Sequence, residues 1–145
     1  YTWTAAMDIA SSYQYASATA VISTPHQGAC PAGWHVPTDE EWMTLVTAVG
    51  GEDVAGTKLK STSGWRDYNG VSGNGTDAYG FSALPAGFRN YDGSYRYVGN
   101  CAVFWSATED GPDDAYRRNL YFSSADVYTN YYGKGNAFSV RCVQD

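Results

Sequence analysis

Residues 38–51 read Thr-Asp-Glu-Glu-Trp-Met-Thr-Leu-Val-Thr-Ala-Val-Gly-Gly, and this stretch predicts a helix with both ends marked. Thr38 and Glu41 fit a capping box, in which each side chain accepts a hydrogen bond from the other residue's backbone amide. The two glycines end the helix. Apolar side chains recur at the helical spacing i, i+3, i+4 and i+7: Trp42, Leu45, Val46 and Val49. We therefore expect a helix over residues 38–50 that buries this stripe against a sheet.

The segments around this helix predict a single α+β domain over residues 1–145. A short second helix is expected at 52–59. Residues 61–80 contain five glycines and predict a long loop, braced by Trp65 and Tyr79. After Leu84 the pattern becomes that of short strands separated by turn residues, which predicts an antiparallel sheet. Strands are expected at 1–7, 84–89, 94–98, 101–107, 116–122, 127–131 and 136–143.

Composition and charge exclude several classes of function. The net charge of −6 disfavours nucleic acid, because phosphate binding needs a basic patch and the sequence shows none. No stretch approaches the ~20 apolar residues of a membrane span. The sequence shows no signal peptide and begins at Tyr1, so we expect a segment of a longer protein. The adjacent Arg117 and Arg118 are expected to balance the nearby acidic loop.

The three cysteines, Cys30, Cys101 and Cys142, allow at most one intrachain disulfide and leave one thiol over. None of the spacings is that of a zinc site or a redox motif. The sequence alone leaves the pairing open.

Four motifs in order resemble the Fibrobacter succinogenes major paralogous domain family. They are CPAGWHVPTDEEW at 30–42, GFSALPAGFR at 80–89, FWSATE at 104–109 and FSVRCV at 138–143. The opening Tyr1-Thr2-Trp3 is also similar to the start of that family.

The resemblance implies a C-type-lectin-like fold, related to the formylglycine-generating enzymes, in secreted or surface proteins of gut and rumen bacteria. It also implies a disulfide between Cys30 and Cys142, with Cys101 free, buried and inert. It implies no reaction, and the family's ligands are largely unknown. Related domains are diversified by retroelements in their last strands, at positions rich in Tyr, Asn, Asp and Ser.

Catalytic residues are not evident, and we expect no enzyme. The related oxygen-using enzymes need two neighbouring cysteines late in the chain, where only Cys142 stands. The sequence has no nucleophile elbow, phosphate loop or dinucleotide fingerprint. Of the two histidines, His35 is expected to make structural hydrogen bonds, and His26 is expected to be exposed in a loop.

The acidic loop at 108–114 is a weak candidate for calcium, which prefers several oxygen ligands on a flexible loop. Its spacing matches no EF-hand and no sugar-binding calcium motif of true C-type lectins. The alternative is a solvated acidic loop, and no cofactor is required. The candidate ligands are Glu109, Asp110, Asp113 and Asp114.

The hairpin at 116–132 carries the strongest signal for binding. Residues 115–136 contain five of the 13 tyrosines of the chain, together with Asn, Ser, Asp and Gly. Antibody paratopes have this composition, and tyrosine rings also stack on sugars. The alternative is cross-strand packing within the hairpin. With the loops at 108–114 and 133–136, the expected contact residues are Tyr116, Asp126, Tyr128, Asn130, Tyr131 and Tyr132.

Two classes of function therefore stay open. The first is a recognition or adhesion module, outside the cell, that binds a glycan or protein on a cell or matrix surface. The second is a structural subunit that packs its tyrosine-rich face on other copies. Trp42 and Trp105 are expected in the core rather than at either kind of surface.

Overall fold

The computed structural model describes residues 1–145 and has an α+β architecture. Its helices are α1 (Trp3–Ala6), α2 (Asp39–Ala48) and α3 (Glu52–Leu59), with a 3₁₀ helix at Ser11–Tyr15. Its strands are β1 (Trp34–His35), β2 (Phe88–Arg89), β3 (Tyr95–Arg96), β4 (Cys101–Glu109), β5 (Asp114–Tyr121), β6 (Val127–Gly133) and β7 (Val143–Gln144). None of these helices combines the length and the apolar composition that a membrane-spanning helix needs.

The capping box of α2 is formed as the sequence predicts. The hydroxyl of Thr38 accepts a hydrogen bond from the Glu41 amide at 3.2 Å, and the Glu41 carboxylate accepts one from the Thr38 amide at 2.8 Å. Three acids in the first turn also suit the positive end of the helix dipole. The helix packs Trp42, Val46 and Val49 into the core, while Leu45 is partly buried.

The central sheet has the order β4-β5-β6, and every neighbouring pair is antiparallel. Because side chains alternate along a strand, each face of this sheet covers a different core. On one face, Ala102, Phe104, Leu120 and Val127 pack against α2 and α3. On the other, Cys101, Val103, Trp105 and Ala115 pack against the N-terminal segment and Phe138. Trp105 is fully buried and Trp42 nearly so, as expected.

The segment before α2 and the last residues of the chain meet beside the disulfide. β1 pairs antiparallel with β7, and Cys30 is bonded to Cys142 with a Cα–Cα distance of 5.8 Å. Cys101 is free and buried at the start of β4, which confirms the predicted pairing. This bond joins the segment before α2 to the end of the chain.

Two predicted strands are wrong. Residues 1–7 form the short helix α1, which Thr2 caps through its side chain. Residues 136–143 lie extended but change partners too often to form a ladder. Ala137 bridges Thr2 and Arg89, and Ser139 bridges Phe104, so only β7 remains a strand at this end.

The long loop 61–80 is braced by one of the two aromatic residues that we expected. Trp65 is buried, and its indole nitrogen donates to the Ser61 hydroxyl at 3.1 Å and the Ala83 carbonyl at 3.2 Å. Tyr79 is 58% exposed, so its predicted bracing role is wrong.

Candidate functional site

The hairpin of β5 and β6 places the predicted contact residues on two opposite faces of the sheet. In the register of the ladder, Tyr128 lies opposite Asn119, Asn130 opposite Arg117, and Tyr132 opposite Ala115. Tyr131 lies opposite Tyr116 on the other face. The six residues therefore do not form one surface.

The face of Tyr116 and Tyr131 is a small aromatic pair beside an acid. Their ring centroids are 6.4 Å apart, in an edge-on arrangement. A hydrogen bond with the Asp110 carboxylate raises the pKa of the Tyr116 phenol. This contact is cross-strand packing of the kind that the alternative to binding predicts.

Asp126 lies in the turn between β5 and β6, where it holds the turn together. Its carboxylate accepts hydrogen bonds from the Tyr128 hydroxyl at 2.7 Å and the Ser124 hydroxyl at 2.8 Å. These bonds lower the pKa of Asp126. The carboxylate thus fixes the Tyr128 ring at the edge of the face that also carries Asn130 and Tyr132.

An open cleft lies on the face of Tyr128, Asn130 and Tyr132, where the N-terminal segment does not cover the sheet. Its volume is about 390 Å³. Cys101 and Val103 of β4 contribute to it, and Asn100 and Arg117 are its polar residues. We call this cavity the aromatic cleft, because five aromatic side chains wall it: Phe88, Tyr97, Tyr121, Phe122 and Tyr132.

Arg117 is the one charged residue of the aromatic cleft, and it is 8% exposed. One terminal nitrogen, Nη1, donates to the Asn119 side-chain oxygen at 2.8 Å. The guanidinium carbon lies 4.7 Å from the centre of the Tyr132 ring and 5.3 Å from that of Phe138. Burial lowers the pKa of Arg117. None of the five ion pairs of the protein includes this residue.

The neighbouring Arg118 has a different environment, although the sequence treats the two arginines alike. It is fully buried on the opposite face, where its Nη2 donates to the Asp39 carboxylate at 2.7 Å. The other terminal nitrogen of Arg118, Nη1, donates to the hydroxyl of Thr129. The predicted balance between these arginines and the acidic loop is therefore wrong, because Arg118 pairs with the first turn of α2 and Arg117 with no acid.

A larger cleft of about 490 Å³ lies between α3, the loop 68–74 and the turn 122–125. Its only cation, Lys60, is buried and already donates to the Tyr121 carbonyl at 3.1 Å and the Ser124 carbonyl at 2.9 Å. Because these carbonyls already accept hydrogen bonds from Lys60, this cleft has a less available cation for a ligand than the aromatic cleft has.

The acidic loop does not form the calcium site considered above. Glu109 ends β4 and points inward, where its carboxylate contacts Lys134 and accepts hydrogen bonds from the Ala18 amide and the Ser17 hydroxyl. No group of three or more His, Cys, Asp or Glu side chains converges as a metal ion requires. The four candidates Glu109, Asp110, Asp113 and Asp114 are thus not a ligand set.

Both histidine side chains make hydrogen bonds that stabilise the fold. His35 is buried, with Nδ1 2.7 Å from an Asp145 oxygen and Nε2 2.8 Å from a Glu41 oxygen. Burial alone would lower the pKa of His35, but the hydrogen bonds to the two carboxylates outweigh it and raise the pKa. His26 is half-buried, with Nε2 2.7 Å from the Met7 carbonyl, so its predicted exposure is wrong.

The sequence analysis missed Arg117, Asn100, Tyr97 and Phe88 as parts of a site. The sequence did contain one pattern that could have identified Arg117 as a buried residue in need of a partner. Two adjacent arginines on a strand must point to opposite faces, and Arg117 and Arg118 lie on the central strand of the sheet. If both faces are covered, both arginines are buried and each needs a partner.

The fold and the aromatic cleft together define an α+β domain with an aromatic-walled cavity on one sheet face. The sequence model of the Fibrobacter succinogenes major domain family matches residues 1–144, and the chain belongs to this family. No curated protein and no solved structure matches the chain.

Proposed function

We propose that this chain is a non-catalytic recognition module that binds a glycan or a protein at the aromatic cleft and the adjoining face of β6. The observation that carries the proposal is the cleft itself, a 390 Å³ cavity with five aromatic walls and two polar groups. Ligand sites of this size combine apolar walls with a few placed polar groups.

The exposed residues beside the cleft extend this surface. Tyr97, Tyr128 and Tyr132 are 57%, 41% and 40% exposed, so their rings are available to a ligand without unfolding. Tyrosine gives a large contact area at a low cost in conformational entropy, and Asn130 beside them adds an adaptable hydrogen-bonding group.

A location outside the cell fits the proposal. A disulfide persists mainly in oxidising surroundings, and Cys30–Cys142 joins distant parts of the chain. We therefore place the module in a secreted or surface protein, as the family resemblance implies.

Comparison of the two hairpin faces tests the proposal. Screening the wild-type domain on a glycan array and on extracellular-matrix proteins identifies a ligand. Tyr128→Ala combined with Tyr132→Ala is then expected to weaken its binding by roughly thirtyfold. Tyr131→Ala, on the opposite face, is the matched control and is expected to bind normally. Lower melting temperature with unchanged binding in the double variant would overturn the proposal.

Assembly is the second candidate function, favoured by the position of β6 at the edge of the central sheet. An edge strand presents unpaired backbone groups that a strand of another copy can satisfy. A stable multimer at low concentration, with the outer amides of β6 protected from hydrogen exchange, would support assembly. A monomer with rapidly exchanging amides would refute it.

A further inference from the structure

Two polar atoms at the aromatic cleft have no partner in the protein. They are Nε of Arg117, a donor, and Oδ1 of Asn100, an acceptor, and both are buried; the third such atom of the protein, Nε of Arg118, lies on the opposite face of the sheet. Nearly all buried polar atoms in proteins are hydrogen-bonded, so each exception needs an explanation. Two of these exceptions belong to residues that line one cavity and are of complementary type, so they suggest a ligand that supplies both an acceptor and a donor.

The aromatic neighbours of Arg117 do not complete its bonding. The Tyr132 ring attracts the guanidinium charge through its face. The five N–H groups of a guanidinium lie in its own plane, however, and each still seeks an acceptor oxygen. Nη1 donates to the Asn119 side-chain oxygen, and the Tyr121 hydroxyl nearby also favours the charged guanidinium, but neither oxygen carries the negative charge of a carboxylate. A buried cation without an acidic partner is costly, and a carboxylate would remove that cost.

Resting on the proposed function, we infer that the aromatic cleft binds an acidic sugar, whose carboxylate pairs with Arg117 and whose hydroxyl donates to Asn100. A guanidinium matches a carboxylate in shape and can hold it with two parallel hydrogen bonds. A carboxylate alone has no hydrogen to give Asn100, so the ligand needs a hydroxyl nearby. The aromatic walls provide flat surfaces for a sugar ring.

Arg118 shares the unpartnered Nε but has the acidic partner that Arg117 lacks. On the opposite face of the same strand, that side chain receives the Asp39 carboxylate. Lys134 and Lys60, the other buried cations, are likewise bonded to a carboxylate or to carbonyl oxygens. Lys60 also lines an open cleft without a carboxylate, but its ammonium group donates to two carbonyl oxygens, whereas the guanidinium of Arg117 donates to one oxygen, that of Asn119.

The test uses D-glucuronate as the probe and D-glucose, which lacks the carboxylate, as its matched control. In NMR titrations of the wild-type protein, glucuronate is expected to shift the Arg117 Nε–H and Asn100 side-chain amide resonances, and glucose to shift them far less. Arg117→Met keeps the apolar length of the side chain and is expected to weaken glucuronate binding about tenfold or more. Arg96→Met, at an exposed arginine, is expected to change nothing.

The outcomes separate this inference from the proposed function. Equal binding of glucuronate and glucose at the cleft would overturn the carboxylate pairing and leave the recognition module standing. Binding of an N-acetylglutamate peptide in preference to glucuronate would overturn the sugar assignment. No shift at the cleft with either sugar would overturn the inference, whereas the proposed function is decided by the ligand screen and the tyrosine variants. If Arg117→Met does not fold, the NMR titrations of the wild-type protein with glucuronate and glucose still decide whether the cleft binds the carboxylate.

Discussion

Lys134 and Glu109 form an ion pair that is sealed from solvent, with side chains 0% and 7% exposed. The ammonium group also donates to the carbonyls of Pro112, at 2.6 Å, and Ala16, at 3.2 Å. The carboxylate accepts a hydrogen bond from the Ala18 amide at 2.8 Å. The pair therefore fastens the segment after the 3₁₀ helix to the end of the central sheet.

Breaking this pair from one side is expected to destabilise the protein strongly. Lys134→Met leaves the Glu109 carboxylate buried without its counter-charge, a change that typically costs about 3–5 kcal/mol. Urea unfolding measures the loss. The double variant Lys134→Met/Glu109→Gln is expected to recover part of it, because no lone charge remains. Arg96→Met, which breaks the exposed pair with Asp92, is expected to cost far less, because water already screens both charges. Equal effects of the buried and exposed changes would contradict this prediction.

The ion pair also marks the limit of sequence reasoning. Helix α2 was predictable because its cap, stripe and glycine stop all lie within 14 adjacent residues, 38–51. Nothing local distinguishes Glu109 from the acids that follow it, or Lys134 from Lys58 and Lys60. Their pairing depends on a fold that brings residues 109 and 134 together with the carbonyls of Tyr13 and Ala16.

The proposed binding surface, which is the aromatic cleft with the adjoining face of β6, was only half predictable for the same reason. Tyr128, Asn130 and Tyr132 were found from the composition of one hairpin. Phe88, Tyr97 and Asn100 come from earlier segments that reach the cleft through tertiary packing. The split of the tyrosines between two faces follows from strand alternation, but which face is open depends on where α2 and the N-terminal segment pack.

The disulfide is expected to contribute about 4–5 kcal/mol, because it closes a sequence separation of 112 residues in the unfolded chain. Cys30→Ala/Cys142→Ala should show this loss in urea unfolding under oxidising conditions. Cys101 is the internal control: burial raises its pKa to about 11, so the native thiol is expected to resist iodoacetamide. A non-reduced digest with a bridge to Cys101, or rapid native alkylation of Cys101, would refute this assignment.

The His35 contacts predict a pH window for stability. The pKa of His35 is raised above 6.5, so its contribution is fully present below pH 6.5 and is lost as the pH rises through the folded-state pKa. Burial would raise the pKa of Glu41, but hydrogen bonds from Thr38 and His35 lower it below 4.5. The Glu41 contribution is present above pH 4.5 and is lost as the pH falls through the folded-state pKa. Both contributions are therefore complete between pH 4.5 and 6.5.

NMR titration of the His35 ring checks this window directly. Asp145→Asn removes one of the two carboxylates and is expected to lower the His35 pKa. Asp53→Asn changes an exposed acid that makes no bond to a histidine and is expected to leave it unchanged. A His35 pKa at or below 6.5 in the folded protein would show that burial outweighs the carboxylates.

Gly56→Ala is expected to destabilise the protein, although a glycine-to-alanine change inside a helix usually stabilises it. It lies inside α3, where alanine is ordinarily about 1 kcal/mol more favourable. A Cβ atom at this position would lie 2.3 Å from the Asp126 carbonyl oxygen and 2.6 Å from that of Ala125. These are backbone atoms of the hairpin turn, and the Thr57 amide is bonded to the Ala125 carbonyl at 3.1 Å. Gly56→Ala must therefore push the turn away from α3, at a cost of about 1–3 kcal/mol.

Urea unfolding of Gly56→Ala compared with Val54→Ala tests this close approach. Val54 is on the same helix and 38% exposed, so its replacement by alanine is expected to change stability by less than about 0.5 kcal/mol. Because Asp126 bonds the Tyr128 hydroxyl, displacement of the turn should also shift the Tyr128 resonances in Gly56→Ala. A Gly56→Ala protein as stable as the wild type, with unshifted Tyr128 signals, would mean that α3 does not hold the turn beside the candidate binding face.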